Sequence, residues 1–349
     1  MTPRWTRRPP GSNWGDFGPD DQLGRLNLLT SAKVLQGVAE VREGIAFCLS
    51  LPLDYPGGNV LSSSRHPPVL RPTVMNGNIR MNYRVASENP DATDIISDDA
   101  VILHTQYSTQ WDSLAHVGHL FDVDGDGMPE AVYYNGFRAD EDVIGPSAAE
   151  DAGAVGVVQA RSTSRANALG IERMAETGVQ GRGVMIDLHA HVGRERAVVG
   201  YDALMRVLEQ DRLTVEPGDM VCLHTGFAEL LLEMGGRPDP LKVRTSCAVL
   251  NGRDQKLLDW ITESQLAVLI ADNFAVEAFP AIEHHGCCAA APLHEHCLFK
   301  LGVHLGELWH LTKLASWLRS HGRSRFLLTA PPLRLPGAVG SPATPVATV

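Results

Sequence analysis

Short apolar runs that end in polar side chains recur along the chain, and they predict the strands of a sheet. The runs are 45–53, 183–189, 220–225, 266–273 and 325–329. Short apolar segments bounded by turn residues are typical of buried strands. In the middle three runs His, Asp or Asn follows the apolar part, and Glu277 comes soon after the fourth run. We therefore expect a polar site where these strands end.

Segments with apolar residues at helical spacing lie between these strands and predict helices. They are 31–44, with Thr30 or Ser31 as the N-cap, 201–213, 257–265 and 293–322. Residues 56–98 are polar and rich in Pro and Asn, which predicts a long loop of a kind that is often functional. Alternating strands and helices without an internal repeat predict an α/β fold, with an N-terminal arm at 1–30 and a single domain at 31–349.

The segment from Gln106 to His116 concentrates side chains that can bind a metal ion. It reads Gln106-x-x-x-Gln110-x-Asp112-x-x-x-His116. A carboxylate and an imidazole on one short segment can reach a common point, and both are usual ligands of divalent metals. Taken alone, the pattern is equally consistent with Asp112 capping a turn and His116 packing at a strand end.

A second group of candidate ligands lies near the C-terminal end of the chain. His294 opens an apolar helical stretch, and Glu307 follows it thirteen residues later. In an unbroken helix the two side chains would be about 20 Å apart along the axis, which is too far for one ion. Either Gly302 and Gly306 break the helix so that the chain folds back, or one of the two is not a ligand. A rival interpretation makes Glu307 a favourable charge at the start of the next helix.

The composition favours a soluble protein with a large core and disfavours nucleic acid as a partner. The chain has 349 residues, 44% of them hydrophobic, and a formal net charge of −11, so it lacks the excess Lys and Arg that neutralise phosphates. Its six cysteines form no CxxC pair, and the adjacent Cys287 and Cys288 lack a neighbouring base, which disfavours a cysteine nucleophile. Without a secretory signal or membrane span, we expect a cytoplasmic protein that acts on a small molecule.

The sequence from Asp122 to Gly127 resembles the start of a calcium loop. Acidic residues occupy its first, third and fifth positions, as Asp122, Asp124 and Asp126. The twelfth position is Tyr133, so the bidentate Glu of such loops is missing. The pattern therefore favours an ordinary acidic turn over a calcium site.

Several segments together resemble the putative cyclase family, which includes bacterial kynurenine formamidases and isatin hydrolases. STQWDSLAH at 108–116 resembles a variant of the family signature His-x-Gly-Thr-His-x-Asp-x-Pro-x-His. WGDFGPDDQLGRLNLLT at 14–30, YYNGF at 133–137, LGVHLGELW at 301–309 and PLRLPGAVGSP at 332–342 also fit it, so the resemblance runs from about residue 14 to residue 342. The first two signature histidines are Gln106 and Gln110 here.

The resemblance implies a fold, an assembly and a set of site residues. The fold is a swivelling β/β/α domain with a central barrel-like sheet flanked by helices, and the assembly is a homodimer or homotetramer. Asp112 corresponds to the metal-binding Asp, and His116 to the last signature His, a general acid or base. The later ligands correspond to His294 and Glu307, although His296 or Glu295 could occupy the His position.

The two glutamines change the expected metal site, because their side chains offer only a neutral carbonyl oxygen. We expect one divalent ion, Mn²⁺ or Zn²⁺ with Mg²⁺ as an alternative, held by Asp112, His294 and Glu307 with help from the oxygen of Gln106 or Gln110. A metal-free site is the other alternative.

Three further side chains are candidates for substrate contacts: Trp111, His224 and His191. Trp111 lies beside the ligands and could stack on an aromatic substrate, but core packing explains it equally well. His224 follows a predicted strand. His189 and His191 are predicted to end another strand and to point the same way, with a surface position as the rival interpretation.

These observations favour a metal-dependent hydrolase that cleaves a formamide, cyclic imide or lactone bond of a small molecule. A metal-bound water would attack the carbonyl, and His116 would shuttle the proton. One alternative is a lyase or cyclase that uses the same metal to stabilise an enolate. Another is a non-catalytic small-molecule binding protein, which the loss of two signature histidines suggests.

Overall fold

Nine strands form one curled sheet in the computed structural model, which describes residues 4–153, 162–286 and 288–349. Cys287 therefore lies outside the described residues. In chain order the strands are β1 (Ala46–Cys48), β2 (Gln110–Asp112), β3 (Gln180–Ile186), β4 (Met220–Leu223), β5 (Val268–Ala271), β6 (His304–Glu307), β7 (Arg325–Thr329), β8 (Gly340–Pro342) and β9 (Val346–Thr348). Their order across the sheet is β1-β9-β7-β3-β4-β5-β6-β2-β8. This curled sheet with its flanking helices confirms the predicted α/β fold.

The four central strands of the sheet run parallel to one another, and the flanking strands run antiparallel. β3, β4, β5 and β6 are the parallel set, while β2 pairs antiparallel with β6 and with β8. The carboxyl ends of parallel strands meet at one edge of a sheet, which is where α/β proteins bind ligands. Asp187, His224 and Asp272 follow β3, β4 and β5 at this edge, and Glu307 ends β6 there. The predicted convergence of polar groups is confirmed.

Nine α-helices are found among the described residues. They are α1 (Ser31–Val38), α2 (Ile171–Glu176), α3 (Leu188–Val192), α4 (Tyr201–Gln210), α5 (Phe227–Glu233), α6 (Pro240–Thr245), α7 (Gln255–Ser264), α8 (Pro292–His294) and α9 (Thr312–Ser320). A π-helical segment, Glu295–Leu301, continues α8, and 3-10 turns occupy Gly24–Leu28, Val85–Ser87, Tyr134–Gly136 and Ala149–Asp151. Thr30 caps α1 as predicted, because its side chain accepts from the Lys33 backbone N–H. None of the described helices is both long and apolar enough for a membrane span.

The predicted long loop at 56–98 contains regular structure that the sequence analysis missed. Three antiparallel pairs form a mostly exposed extension at 69–102, here called the β-arm: Val69–Pro72 with Asp99–Ile102, Val74–Met75 with Asn78–Ile79, and Tyr83–Arg84 with Ile95–Ile96. Its strands are two to four residues long, too short for a hydrophobic period to show in the sequence. Three more pairs lie elsewhere: His119–Phe121 with Glu130–Val132, Val143–Ile144 with Arg165–Ala166, and Ala197–Val199 with Ala248–Leu250.

The core lies on both faces of the central sheet. Alternate residues of β4 point to opposite faces, so that Val221 and Leu223 join one buried cluster while Met220 and Cys222 join the other. Trp14, from the predicted N-terminal arm, is 1% exposed in the first of these clusters. The segment before residue 30 therefore packs onto the same core as the rest of the chain.

A reversal at Gly302 connects the helical segment after His294 to β6. Gly302 has φ +60°, a left-handed conformation that suits glycine, and its carbonyl accepts from the Arg25 backbone N–H at 2.8 Å. A Cβ there would lie 2.6 Å from Cα of Gly24 and 2.8 Å from the ring of Tyr134. Of the two alternatives given by the sequence, the structure has the break, at Gly302 alone, because Gly306 lies within β6. The rival view of Glu307 as a helix-starting charge is wrong, because α9 begins only at Thr312.

We predict that Gly302→Ala lowers the free energy of unfolding by about 2–5 kcal/mol, the sum of left-handed backbone strain and overpacking. Gly322→Ala is the matched control, because Gly322 also has φ +60° but a Cβ there would meet nothing within 4 Å. The control should lose only about 1–2 kcal/mol. Urea unfolding of both variants measures the difference, and equal losses would show that close packing at Gly302 does not matter.

Candidate metal centre

Asp112, His294 and Glu307 meet at one point although they are far apart in the sequence. Each offers a ligand atom, and these atoms all lie within 4.8 Å of one another. Pairing between β2 and β6 places Gln110 opposite Glu307, and Asp112 follows two residues later on the same face of β2. His294 ends α8, before the reversal at Gly302 returns the chain to β6. Because of this reversal, His294 and Glu307 lie close together instead of being separated along an unbroken helix.

The three side chains are buried and close enough to share an ion. Nε2 of His294 lies 3.2 Å from Oε1 of Glu307 and 4.0 Å from Oδ2 of Asp112. His296, the alternative to His294, instead contacts the Thr262 hydroxyl at 2.9 Å, and burial lowers its pKa to about 4. The structure thus brings His294, not His296, to the two carboxylates.

The two buried carboxylates of this cluster need a positive charge beside them. Burial raises the pKa of Asp112, and the neighbouring carboxylate of Glu307 also raises it, while His116 and His294 oppose the shift. Burial lowers the pKa of His294, but hydrogen bonds with Glu277 and Glu307 outweigh it and raise that pKa to about 10. Without a metal, a protonated His294 therefore supplies the positive charge. A divalent ion that replaces this proton would satisfy both carboxylates.

Two buried oxygens of the cluster have no hydrogen-bond partner among the described residues: Oδ2 of Asp112 and Oε1 of Gln110. A buried oxygen left unpaired costs roughly 1–3 kcal/mol, so such atoms usually face a water or an ion. Two carboxylates, one imidazole and an amide oxygen form a ligand set that suits Mn²⁺, Zn²⁺ or Mg²⁺. The residues present therefore fit a divalent metal ion.

The two glutamines have different positions in the cluster. Gln110 donates from Nε2 to Oε2 of Glu307 at 3.1 Å, which leaves its oxygen free to bind an ion. Gln106 donates from Nε2 to Oδ1 of Asp112. The prediction that Gln106 binds metal through its oxygen is not supported by this arrangement, because its amide N–H faces the ligand carboxylate. Gln106 instead orients Asp112.

Glu277 holds His294 in place, a role that the sequence analysis missed. It is fully buried and accepts from the backbone N–H groups of Leu293 and His294, and it lies 2.8 Å from Nδ1 of His294. A carboxylate on Nδ1 directs Nε2 toward the metal position and makes the imidazole a stronger ligand. The sequence shows Glu277 soon after a strand, but only the fold places it beside His294.

His304 supports Asp112 from the neighbouring strand and was also missed. Its Nδ1 donates to the backbone carbonyl of Asp112 at 2.9 Å. Burial lowers the pKa of His304 to about 4, so the imidazole stays neutral near pH 7. The side chain therefore fixes the backbone of a candidate ligand without adding charge.

His116, predicted as the general acid or base, lies beside the cluster in a turn that starts at Ser113. Its Nε2 is 4.0 Å from Oδ1 of Asp112, and its side chain is 22% exposed. It is close to the candidate ligands yet accessible to solvent, as a group that exchanges protons must be.

Trp111, a predicted substrate contact, lies in the core instead. Its side chain is fully buried, its indole N–H donates to the Ala330 carbonyl at 2.8 Å, and its ring packs edge-on against Trp309. The prediction that Trp111 stacks on a substrate is wrong for this structure, because no part of its ring is accessible. Alternation along β2 explains the position, since Gln110 and Asp112 point to the other face.

His224 and His191, the other two predicted substrate contacts, both pair with aspartates. His224 is buried, with Nδ1 2.7 Å from Asp187 and Nε2 3.3 Å from the Thr312 hydroxyl. Exposed His191 lies 3.0 Å from Asp211. The strand predicted to end at His189 and His191 stops earlier, and both residues lie in α3, where positions two apart face different directions. Neither His224 nor His191 belongs to the metal cluster.

The segment from Asp122 to Gly127 forms an acidic turn. Oδ1 of Asp122 accepts from the Gly125 N–H at 2.7 Å, and Asp124 accepts from the Asp126 N–H at 3.1 Å. Asp122 also pairs with Arg7 at 2.6 Å. Local backbone donors and an arginine therefore satisfy these carboxylates.

Comparisons with known proteins found a matching family profile and similar solved structures. A sequence profile described as putative cyclase matches residues 48–278. A crystal structure described as a novel cyclase aligns with a TM-score of 0.71 at 29% identity, covering 98% of this chain and 100% of that one. No curated protein matches the chain.

Two isatin hydrolases share the fold at low sequence identity. Isatin hydrolase A from Labrenzia aggregata aligns with a TM-score of 0.54 at 10% identity, over 90% of this chain and 97% of its own. The enzyme of the same name from Ralstonia solanacearum aligns with a TM-score of 0.53 at 15% identity, over 91% of this chain and 97% of its own.

We predict that Glu277→Gln weakens metal binding by about 10- to 100-fold, because His294 loses the carboxylate that orients it. Glu295→Gln is the matched control, since Glu295 follows His294 in the chain but pairs with Lys300 at 3.2 Å. Calorimetric titration with Mn²⁺ and Zn²⁺ measures both variants, after thermal melting has verified folding. Wild-type affinity in Glu277→Gln would contradict the role given to this residue.

Proposed function

The chain belongs to the putative cyclase family, and on that premise we propose that it is a metal-dependent hydrolase of a small molecule. The observation that carries the proposal is the buried cluster of Asp112, His294 and Glu307, whose ligand atoms lie within 4.8 Å of one another. The isatin hydrolases that share the fold support hydrolysis as the reaction. The bond we propose is a formamide, a cyclic imide or a lactone, in each of which water attacks a carbonyl carbon.

The proposed cofactor is one Mn²⁺ or Zn²⁺ ion, with Mg²⁺ as the alternative, held by Asp112, His294, Glu307 and the oxygen of Gln110. A mixed set of carboxylates and imidazole favours Mn²⁺ or Zn²⁺, and glutamines in place of two signature histidines favour a single ion. When bound, such an ion lowers the pKa of a water molecule and polarises a carbonyl.

The side chains around the cluster have separate proposed tasks. Gln106 and Gln110 donate to Asp112 and Glu307 and keep both carboxylates pointing inward. His116, 4.0 Å from Asp112 and partly exposed, moves the proton. An imidazole can take a proton from the attacking water and give it to the leaving nitrogen or oxygen near neutral pH.

We predict that the purified protein carries about one metal ion per chain and hydrolyses at least one of N-formylkynurenine, isatin-like imides or lactones. Asp112→Asn should lose the metal, because a ligand charge is gone. His116→Ala should keep the metal but lower kcat by about 10²- to 10⁴-fold. His119→Ala is the control, since His119 lies near Glu295 at 3.9 Å and not at the cluster.

Elemental analysis, steady-state kinetics and product analysis in ¹⁸O-labelled water test this proposal. Hydrolysis places the label in a product carboxylate, whereas a lyase or cyclase reaction does not. Unchanged turnover in Asp112→Asn or His116→Ala would contradict the site assignment. Substrate binding without metal or turnover would favour the non-catalytic binding protein instead.

We also propose that the protein forms a homodimer or homotetramer through the β-arm. Leu70 and Val101 pair across its strands and are 69% and 52% exposed. Val74 and Ile79 also pair, and they are 65% and 61% exposed. Apolar pairs that stay exposed on a strand ladder are a typical contact between subunits.

Light scattering should therefore give the mass of two or four chains. The double variant Leu70→Asp with Val101→Asp should shift that mass toward one chain, because charges would enter the contact. Leu120→Asp is the control, as Leu120 is 67% exposed but lies outside the β-arm. A monomeric wild-type protein would contradict the proposed assembly.

A further inference from the structure

A cleft of about 490 Å³ has a lining that combines apolar side chains with two arginines. Its volume is within the range of about 300–1,000 Å³ typical of small-molecule sites. The apolar part includes Phe227, Phe274 and Phe279. Arg196 and Arg244 provide the only charges among its lining residues in the part of the chain that the structure describes.

The two arginines of the cleft have no carboxylate partner in the described parts of the chain. Their neighbour Arg194 instead forms a two-pronged ion pair with Glu233, with both N–O distances at 2.7 Å. Partial burial lowers the pKa of Arg196, although Arg196 and Arg244 are both exposed residues that a ligand in solution can reach. The cleft therefore has an unbalanced positive charge that an anionic ligand would neutralise.

Asn273 lines the same cleft, and one of its side-chain atoms is an unsatisfied acceptor. It is 2% exposed, and its Nδ2 donates to the Ala248 carbonyl at 2.9 Å. Its Oδ1 is buried without a hydrogen-bond partner among the described residues. A buried carbonyl oxygen in this state is a site for an N–H donor.

The cleft is close to the candidate metal ligands. The backbone carbonyl of Asn273 accepts from the N–H of Leu308, the residue after Glu307, at 3.1 Å. Phe274 lines the cleft and also a narrow gap that reaches Gln106, which donates to Asp112. Phe274 and this gap of about 10 Å³ therefore separate the cleft from the cluster.

We propose that this cleft binds the body of the substrate and selects an anionic amide with an apolar or aromatic group. Arg196 and Arg244 would pair with its carboxylate, the phenylalanines would contact its apolar group, and Oδ1 of Asn273 would accept from its N–H. The view that this ligand is a substrate rests on the proposed hydrolase function, but binding of the ligand in the cleft requires no metal.

Binding of two matched probes to the full-length protein tests the assignment. N-acetylphenylalanine carries a carboxylate, a ring and an amide N–H, whereas N-acetylphenylalaninamide has a neutral carboxamide of similar size in place of the carboxylate. Calorimetry should show that the acid binds at least about tenfold more tightly than the neutral amide, because only the acid pairs with the arginines. Equal binding of the two probes, or none by the acid, would overturn the proposal.

Substitution of the arginines locates the site. Arg196→Gln and Arg244→Gln should each weaken binding of the acid a few-fold, and together about 10- to 100-fold, without affecting the neutral amide. Arg206→Gln on α4 is the control for the lost charge. Unchanged affinity in the double variant, with folding verified by thermal melting, would place the site elsewhere.

The same titration in Asp112→Asn separates this proposal from the hydrolase proposal. If that variant still bound the acid more tightly than the neutral amide, the role of the cleft in anion binding would be supported even if the protein proved to be metal-free and inactive. Metal-dependent turnover of neutral and anionic amides with equal KM would overturn the proposed selection of anions by the cleft and leave the hydrolase proposal intact.

Discussion

The close approach of two buried carboxylates, Asp112 and Glu307, is the constraint on which the site depends. Two negative charges held this near each other out of water repel one another unless a positive charge lies between them. Here the buried imidazole of His294 balances them, and the unpaired oxygens of Asp112 and Gln110 leave room for a cation. Glu277 adds a further carboxylate behind His294. The cluster is thus stable only with a proton or a metal ion at its centre.

The fold supplies this arrangement through two features of the sheet. Parallel strands β3 to β6 bring polar residues to one edge, and antiparallel β2 brings Asp112 to the same place from the other direction. The second feature is the reversal at Gly302, which packs directly on Gly24. A local backbone requirement at one glycine therefore determines whether His294 and Glu307 can serve one ion.

Part of this account could be predicted from the sequence, because β3, β4 and β5 have strong apolar runs and because Gln110, Asp112 and His116 lie on one short segment. His294 and Glu307 were joined to that segment only through the family resemblance. Helix geometry required either a break at Gly302 and Gly306 or the loss of one ligand, and the structure has the reversal at Gly302. The tasks of Glu277, His304 and Gln106 could not be predicted, since each depends on a contact between distant segments. Trp111 was misassigned because neighbours on a strand face opposite sides, and the short strands of the β-arm carry no readable period.

The central claim, that Asp112, His294 and Glu307 share one divalent ion, is tested most directly by anomalous diffraction. A crystal of the full-length protein grown with Mn²⁺ should show a single anomalous peak among these three side chains, with the oxygen of Gln110 beside it. His294 should then bind through Nε2, with Nδ1 still facing Glu277. Well-ordered side chains with no anomalous peak between them, or a peak only at the turn from Asp122 to Asp126, would contradict the account.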